Sequence, residues 1–464
     1  MRNYVNAGVS STRARLDAAI RAVAADPRND HAPAHLRVLM VTQSYYPFLD
    51  RGGSAATVHA LAQGLAQSGH SVTVLTSDLG ISTQPMPVPA AAKTTEGWRY
   101  EQDGVETIYL SSRGSYRALT WNPGIFAFCA NRLSSFDIVH IYGTYDLLGP
   151  AVARACRRAR VPYVFEPMGM FRPIVRNVVL KSVYRQLFGE SVVRGAVQLI
   201  ATSLQEQREL IEEGIAAEKI TIRRNGIDLP TLSTTGAFRL QWKIPQDAFL
   251  VLFLGRIVPK KSPELLLEAF ARWRRSSAAT PPCFLVFAGP SESESYLRTL
   301  KADVKRLGLS ESVVFTRAVY GDAKWSALAD ADIFVLPSQN ENFGNAAAEA
   351  VACGTPVIVT NRCGIAPLVE GRAGLVIPHK CEALIRALDQ LSDPGLRLRM
   401  KLGCKEVALG LNWQQPIAQT EALYAQLLSD WNAARTEPPR AAQYEPERPA
   451  RFEPERSARR DLSS

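Results

Sequence analysis

No stretch of this chain approaches the roughly 20 consecutive apolar residues that a membrane helix needs. The N-terminus, with Arg13, Arg15 and Arg21 spread through it, has no signal-peptide core. Both absences lead to the expectation of a cytoplasmic protein. Paired cysteine motifs are missing as well. The seven cysteines (Cys129, Cys156, Cys283, Cys353, Cys363, Cys381 and Cys404) include no C-x-x-C and are odd in number. That is the pattern of reduced thiols rather than of a disulfide framework. The net charge of +10 is not gathered into one dense block of Lys and Arg with interleaved aromatics, so no nucleic acid is expected as a partner. An anionic membrane surface or a phosphorylated substrate suits the charge better. No Asp-x-Asp stands in a loop after a strand, so no metal site is expected.

What is present is the material of a large globular protein. Hydrophobic residues make up 46% of the 464 and charged residues 21%. The length exceeds one typical core, so two domains are expected. Residues 1–35 are polar and alanine-rich and read as an extension. From Leu36 to about residue 230, short apolar strands alternate with helical patterns: Leu36–Val41, Ser71–Thr76, Asp137–Ile141, Tyr163–Phe165 and Gln198–Ala201. A second series runs over 231–410 through Phe249–Leu254, Phe284–Phe287, Val313–Phe315, Ile333–Val335 and Val357–Val359. Strands spaced by helices predict an α/β fold of two doubly wound, Rossmann-like domains with parallel sheets. Their ligands should lie outside the carboxyl ends of the strands, in a central cleft. The hinge falls near Asn225-Gly226-Ile227-Asp228. A helical segment covers 411–432. From 433 a tail repeats Tyr444-Glu-Pro-Glu-Arg-Pro-Ala-Arg as Phe452-Glu-Pro-Glu-Arg-Ser-Ala-Arg and cannot build a core.

Three loops after strands carry the chemistry. In Glu341-Asn-Phe-Gly-Asn-Ala-Ala-Ala-Glu349 two carboxylates flank a glycine and three alanines. A helix starting near Phe343 would direct the free N–H groups of Phe343, Gly344 and Asn345 at an anion. Glu341 and Glu349 then suit sugar hydroxyls. In Gly255-Arg-Ile-Val-Pro-Lys-Lys261 a guanidinium and an ammonium stand five residues apart, enough to neutralise a leaving diphosphate without metal. Gly52-Gly53, after the first strand, lets backbone approach a ligand and opens a helix.

These segments resemble the E-x7-E motif, the G-R-x4-K segment and the Pro-x-x-G-G loop of family 4 retaining glycosyltransferases, the group 1 glycosyl transferases with the GT-B fold. Thr202-Ser203 and Asn225-Gly226-Ile227-Asp228 are similar to further family stretches, and the resemblance spans roughly 36–432. It implies a catalytic group of Arg256 and Lys261 on the diphosphate and Glu341 on the donor sugar. It also implies donor binding by Gly52, Gly53, Phe343, Gly344, Asn345 and Glu349, with Glu349 on the ribose. No cofactor or metal is implied. The donor would be a UDP- or GDP-sugar and the acceptor a glycan or a lipid-linked molecule. In relatives the last helix crosses back onto the first domain. Two departures stand out. Met168 replaces a histidine that many relatives carry before the glycine, and Thr316-Arg317-Ala318 replaces a more usual glycine near the nucleotide base.

His140, inside a strand, and His59, on the helix after Gly53, read as packed side chains. From Arg172 to Arg194 the chain is basic and apolar, with Arg172, Arg176, Lys181 and Arg185 at intervals of four or five. This fits the face of a helix on anionic lipid, a peripheral place on the inner face of the membrane, or equally a solvated face over the core. A nucleotide-sugar epimerase shares the two-domain fold but needs acid/base residues in the cleft. A non-catalytic nucleotide-sugar-binding protein would need a disabled donor site, and nothing visible disables it.

Overall fold

The computed structural model describes residues 35–47, 53–78, 91–95, 97–116, 119–171, 183–228, 235–276 and 282–436. The N-terminal extension, the repeated tail, Gly52, Arg172, Arg176 and Lys181 lie outside these residues.

The first half runs β1 (Arg37–Val41), α1 (Gly53–Gln67), β2 (Ser71–Ser77), β3 (Ala92–Lys93), β4 (Gly97–Gln102), β5 (Val105–Leu110), β6 (Gly114–Tyr116), β7 (Leu119–Trp121), α2 (Gly124–Arg132), β8 (Ile138–Tyr142), α3 (Leu148–Ala159), β9 (Tyr163–Glu166), α4 (Glu190–Gly195), β10 (Gln198–Ala201), α5 (Leu204–Glu212) and β11 (Ile220–Ile222). Nine of these strands form one sheet in the order β11-β10-β9-β8-β1-β2-β5-β4-β3. Strand β1 lies parallel between β2 and β8, so the chain reverses its direction of winding there. The expectation of a wholly parallel sheet fails at one edge. β4 pairs antiparallel with both β3 and β5. The reason is the two-residue link Asp103-Gly104, where both residues have positive φ, 52° and 76°. So short a link joins only antiparallel neighbours.

The second half runs α6 (Ala237–Gln241), β12 (Phe249–Leu254), α7 (Pro263–Ser276), β13 (Cys283–Ala288), α8 (Glu294–Arg306), β14 (Val313–Phe315), α9 (Gly321–Asp330), β15 (Ile333–Leu336), α10 (Asn345–Ala352), β16 (Val357–Thr360), α11 (Ala366–Val369), β17 (Gly374–Ile377), α12 (Cys381–Ser392), α13 (Pro394–Leu409) and α14 (Gln414–Thr436). Its sheet, β14-β13-β12-β15-β16-β17, is parallel throughout. Helices cover both faces, so β12 and β15 read as unbroken apolar runs, Phe-Leu-Val-Leu-Phe-Leu and Ile-Phe-Val-Leu, with nearly every side chain buried.

The chain passes between the halves twice, and the two passages touch. The amide of Ile227 donates to the carbonyl of Leu411 at 2.7 Å. A side chain on Gly226 would stand 2.6 Å from Trp413, so that crossing needs glycine. Helix α14 then lies on the first half. Ile417 fills the space above Gly64, and Tyr424 is fully buried beside Val38, Val58 and Leu61. Its hydroxyl reaches Nδ1 of His140 at 2.6 Å, which Tyr142 also approaches at 2.8 Å. His140 Nε2 lies 3.3 Å from Glu166, whose carboxylate takes a bond from buried Arg223 at 2.6 Å. His140 is thus a packed residue within the sheet. Burial holds its imidazole below the usual range, in the neutral form, despite Glu166. His59 is likewise engaged, stacked on Tyr46 with its Nδ1 3.1 Å from the Tyr45 hydroxyl.

Candidate active site

Two loops meet at the centre of the second sheet. Because β15 pairs with β12, the segment after β12 (255–262) lies beside the segment after β15 (337–344). The amide of Gln339 donates to the carbonyl of Lys260 at 2.9 Å, and its side-chain Nε2 donates to the carbonyl of Pro259 at 3.3 Å. This brings Lys261 to Glu341, Nζ to Oε2 at 3.1 Å, with Ser338 Oγ 3.2 Å from the same oxygen. The pair is largely withdrawn from water, with side chains 15% and 22% exposed. Burial alone would raise the Glu341 carboxyl. The Lys261 ammonium, backed by Lys260 and by Ser338, outweighs it and holds Glu341 below the usual carboxylate range. Two glycines permit the approach. Gly255 has φ 147° with Lys261 packed against it, and a side chain on Gly364 would meet the carbonyl of Asn342 at 1.9 Å.

Helix α10 starts at Asn345, two residues later than the sequence predicts. Gly344 is the residue before it and adopts a left-handed conformation, φ 98°, that breaks the helix geometry there. Ala347 and Ala348 both donate to the carbonyl of Gly344. The N–H groups at the helix start therefore belong to Asn345 and Ala346. Phe343 is instead a core residue, 2% exposed, whose carbonyl takes a bond from Ile365 at 2.7 Å. Glu349, in the second turn, pairs with Lys324 of α9, Nζ to Oε1 at 2.8 Å. Burial pushes the Glu349 carboxyl above its usual range, against the pull of Lys324.

Arg256 is not joined to the Lys261–Glu341 pair. Its guanidinium bonds Glu292, in the loop after β13, and both side chains are about half exposed. An exposed pair of this kind contributes only about 0–1 kcal/mol, so Glu292 is a weak hold on Arg256.

The first half closes over this loop. Asn340 donates to Glu209 at 2.8 Å; Asn345 takes a bond from Asn225 at 3.2 Å and lies 3.4 Å from the Thr57 hydroxyl. Gly53 stands directly opposite Asn345, whose amide would be 3.1 Å from any side chain there. Met168 and Gly169, with φ 56° and 72°, bring their turn against Asn342. Glu206 holds that turn through the Gly169 amide and holds Thr202 at 2.8 Å. Burial pushes its carboxyl up to about 7. Of these, Glu206, Glu209 and Lys324 have no local signal in the sequence. Ser338 has one, since Pro337-Ser338 directly ends the apolar run of β15. Among the described residues no three His, Cys, Asp or Glu side chains are grouped to hold a metal ion, and no helix is long and apolar enough to cross a membrane.

The family profile described as glycosyl transferases group 1 matches residues 235–405, and the glycosyl transferase 4-like domain matches 52–226. A D-inositol 3-phosphate glycosyltransferase of Kineococcus radiotolerans is 31% identical over 433 residues, covering 84% of this chain and 94% of the relative. The chain belongs to the group 1 glycosyl transferases. A second D-inositol 3-phosphate glycosyltransferase, from Streptomyces bingchenggensis, is 32% identical over 67% of this chain and 71% of its own length. Solved structures agree in fold. Sucrose-phosphate synthase from Thermosynechococcus elongatus has a TM-score of 0.68 at 21% identity, over 85% of this chain and all of that one. Anabaena HepE in complex with UDP-glucose has a TM-score of 0.64 at 19% identity, with the same coverage. This glycosyltransferase therefore has the GT-B fold, with the Lys261–Glu341 pair and helix α10 at the cleft.

Replacing Lys261 by Met removes the cation that opposes burial at Glu341. The Glu341 carboxyl should then titrate at higher pH than in the wild type, as read by carbon-13 NMR of labelled glutamate. An unmoved titration would mean that Lys261 does not set the charge of Glu341.

Proposed function

We propose that this glycosyltransferase moves a sugar, with retention of configuration, from a UDP- or GDP-sugar to a glycan or lipid-linked acceptor. The observation that carries the reading is the Lys261–Glu341 pair, set at the start of α10 with Glu349 in the next turn. In this reading Lys261 and Arg256 take up the negative charge that develops on the departing diphosphate, together with the N–H groups at the start of α10. Glu341, kept ionised, accepts from hydroxyls of the donor sugar, and Glu349 accepts from the ribose. Gly53 lets the first half approach the donor without a side chain between them. The acceptor attacks on the face that the diphosphate leaves, and a phosphate oxygen takes its proton, so no side-chain base is required. Two solved relatives support the donor class and the acceptor class respectively. Anabaena HepE is described in complex with UDP-glucose, and WaaG, with a TM-score of 0.61 at 18% identity over 83% of this chain and 99% of that one, is described as involved in lipopolysaccharide biosynthesis.

A membrane-bound acceptor also accounts for a surface that the cleft does not use. Val183, Leu187 and Phe188 are 44%, 66% and 37% exposed, within the basic, apolar segment. Their spacing of four and five puts them near one face of the turn they share. Arg185 between them is tied to Glu213 and contributes less to such a surface than its charge implies. We place the enzyme peripherally on anionic lipid at the inner face of the membrane, through these apolar residues and the chain's positive charge.

Three measurements test this reading. Glu349→Ala should raise the dissociation constant for UDP or GDP at least tenfold by calorimetry, about 1.4 kcal/mol; unchanged binding removes the ribose role. Sugar transfer should continue in excess EDTA, since cations of the chain do the neutralising; complete loss restored by Mn²⁺ or Mg²⁺ would show a metal requirement. The full chain should co-sediment with anionic vesicles at low salt and dissociate as salt rises. Replacing Leu187 and Phe188 by Glu should weaken this several-fold while leaving donor hydrolysis intact. Failure of the wild type to bind such vesicles at low salt would mean that the acceptor is met in solution.

A further inference from the structure

Lys324 has no place in the mechanism above, yet it is built into the donor end of the cleft. It stands on α9, which follows β14, so it comes from the same edge of the sheet as Arg256 and Glu341. Its ammonium is 2.8 Å from Glu349 Oε1 and 4.1 Å from the centre of the Trp325 ring. Both members of the pair are mostly withdrawn from water, Lys324 23% and Glu349 20% exposed. The indole face and the carboxylate together fix where the flexible lysine ends. Three groups face the Glu349 carboxyl: Lys324 from α9, Asp228 from the passage between the halves, and the Cys353 thiol one turn further along α10. Burial and Asp228 both act against the charged form of Glu349. Lys324 is the cation that acts for it.

We propose that Lys324 is a positioning residue for the donor nucleotide, holding Glu349 charged and aimed so that the oxygen it does not hold, Oε2, accepts from the ribose. The inference rests on the reading of Glu349 as the ribose-binding residue. An ionised carboxylate accepts roughly twice as strongly as a neutral acceptor, and a protonated one turns one of its oxygens into a donor. Loss of Lys324 therefore changes the pH at which ribose binding is available, and not merely the packing around α9.

The test uses the full chain and calorimetry with UDP or GDP, whichever the wild type binds more tightly, and with the matching nucleoside. Binding is followed from mildly acid to mildly alkaline pH. In Lys324→Met the carboxyl of Glu349 protonates at higher pH than in the wild type. Affinity should then fall on the acid side by something on the order of tenfold and recover toward alkaline pH. Lys324→Arg should restore the wild-type profile. The loss should be similar for nucleoside and nucleotide, because both carry the ribose. A Lys324→Met profile parallel to the wild type overturns the inference, and so does a loss confined to the nucleotide, which would assign the ammonium to the phosphates. Glu349→Gln separates the two readings. If it binds the nucleoside like the wild type, the ribose role itself fails. If it is impaired while Lys324→Met is not, only the role of Lys324 fails.

Discussion

The parallel pairing of β12 with β15 is the constraint on which the cleft depends. Val251 and Leu252 register with Ile333 and Phe334, all buried, so neither strand has a polar side chain to spare along its length. In a sheet covered on both faces, polar chemistry is confined to the segments beyond the strands' carboxyl ends. Here the chain winds to β13 on one side of β12 and arrives as β15 on the other. Segments 255–262 and 337–344, some eighty residues apart, are thereby forced together, and Gln339 joins them through the carbonyls of Lys260 and Pro259. The first half repeats the arrangement with β1 between β2 and β8, which sets Gly53 and its helix across from Asn345.

Buried charge is used in two ways. The Glu166–Arg223 pair is essentially without solvent and lies under α14 with His140, Tyr142 and Tyr424. Pairs of this kind recover little beyond their desolvation cost, but removing one partner strands the other, so they fix an arrangement rather than add much stability. This one fixes the last helix onto the first half. The Lys261–Glu341 and Lys324–Glu349 pairs keep a modest exposure at the cleft. At Glu341 the Lys261 ammonium outweighs burial, and at Glu349 Lys324 opposes a burial that still prevails; each ammonium fixes its carboxylate in place before any ligand arrives. On the proposed reading of the site, a hydroxylated ligand would meet acceptors already in place, with little reorganisation left for the moment of binding.

Apart from the apolar docking of α14, the halves meet at the site loop through a few polar side chains. Asn340 and Asn342, in the loop that bears Glu341, and Asn345, which opens α10, meet Glu209, Gly169 and Asn225 of the first half. Contacts of this size suit halves that move relative to one another, and they tie any such movement to the loop that carries the site.

Much of this was legible along the chain because it rests on local chemistry. Apolar runs between helical patterns marked the strands, and the Glu341–Glu349 spacing with its glycine marked a strand–loop–helix at a sheet edge. The β4–β5 hairpin was also signalled, by Asp103-Gly104, although the alternation of strands and helices around it hid the antiparallel edge. Other features had no local signal. The pattern put the helix start near Phe343; the left-handed φ of Gly344 decided that the helix begins at Asn345. Arg256 and Lys261 looked alike as loop cations, and only packing turned one to Glu292 and the other to Glu341. Lys324, an unremarkable lysine in sequence, became the partner of Glu349 because α9 and α10 are brought together by the order of the strands. The sequence by itself determined the elements, the two halves and the chemical types at each strand's end, since periodicity and turn residues act over a few positions. Which charge faces which was decided only by the tertiary structure, because the charged partners at the site stand 25 to 80 residues apart and meet through sheet order.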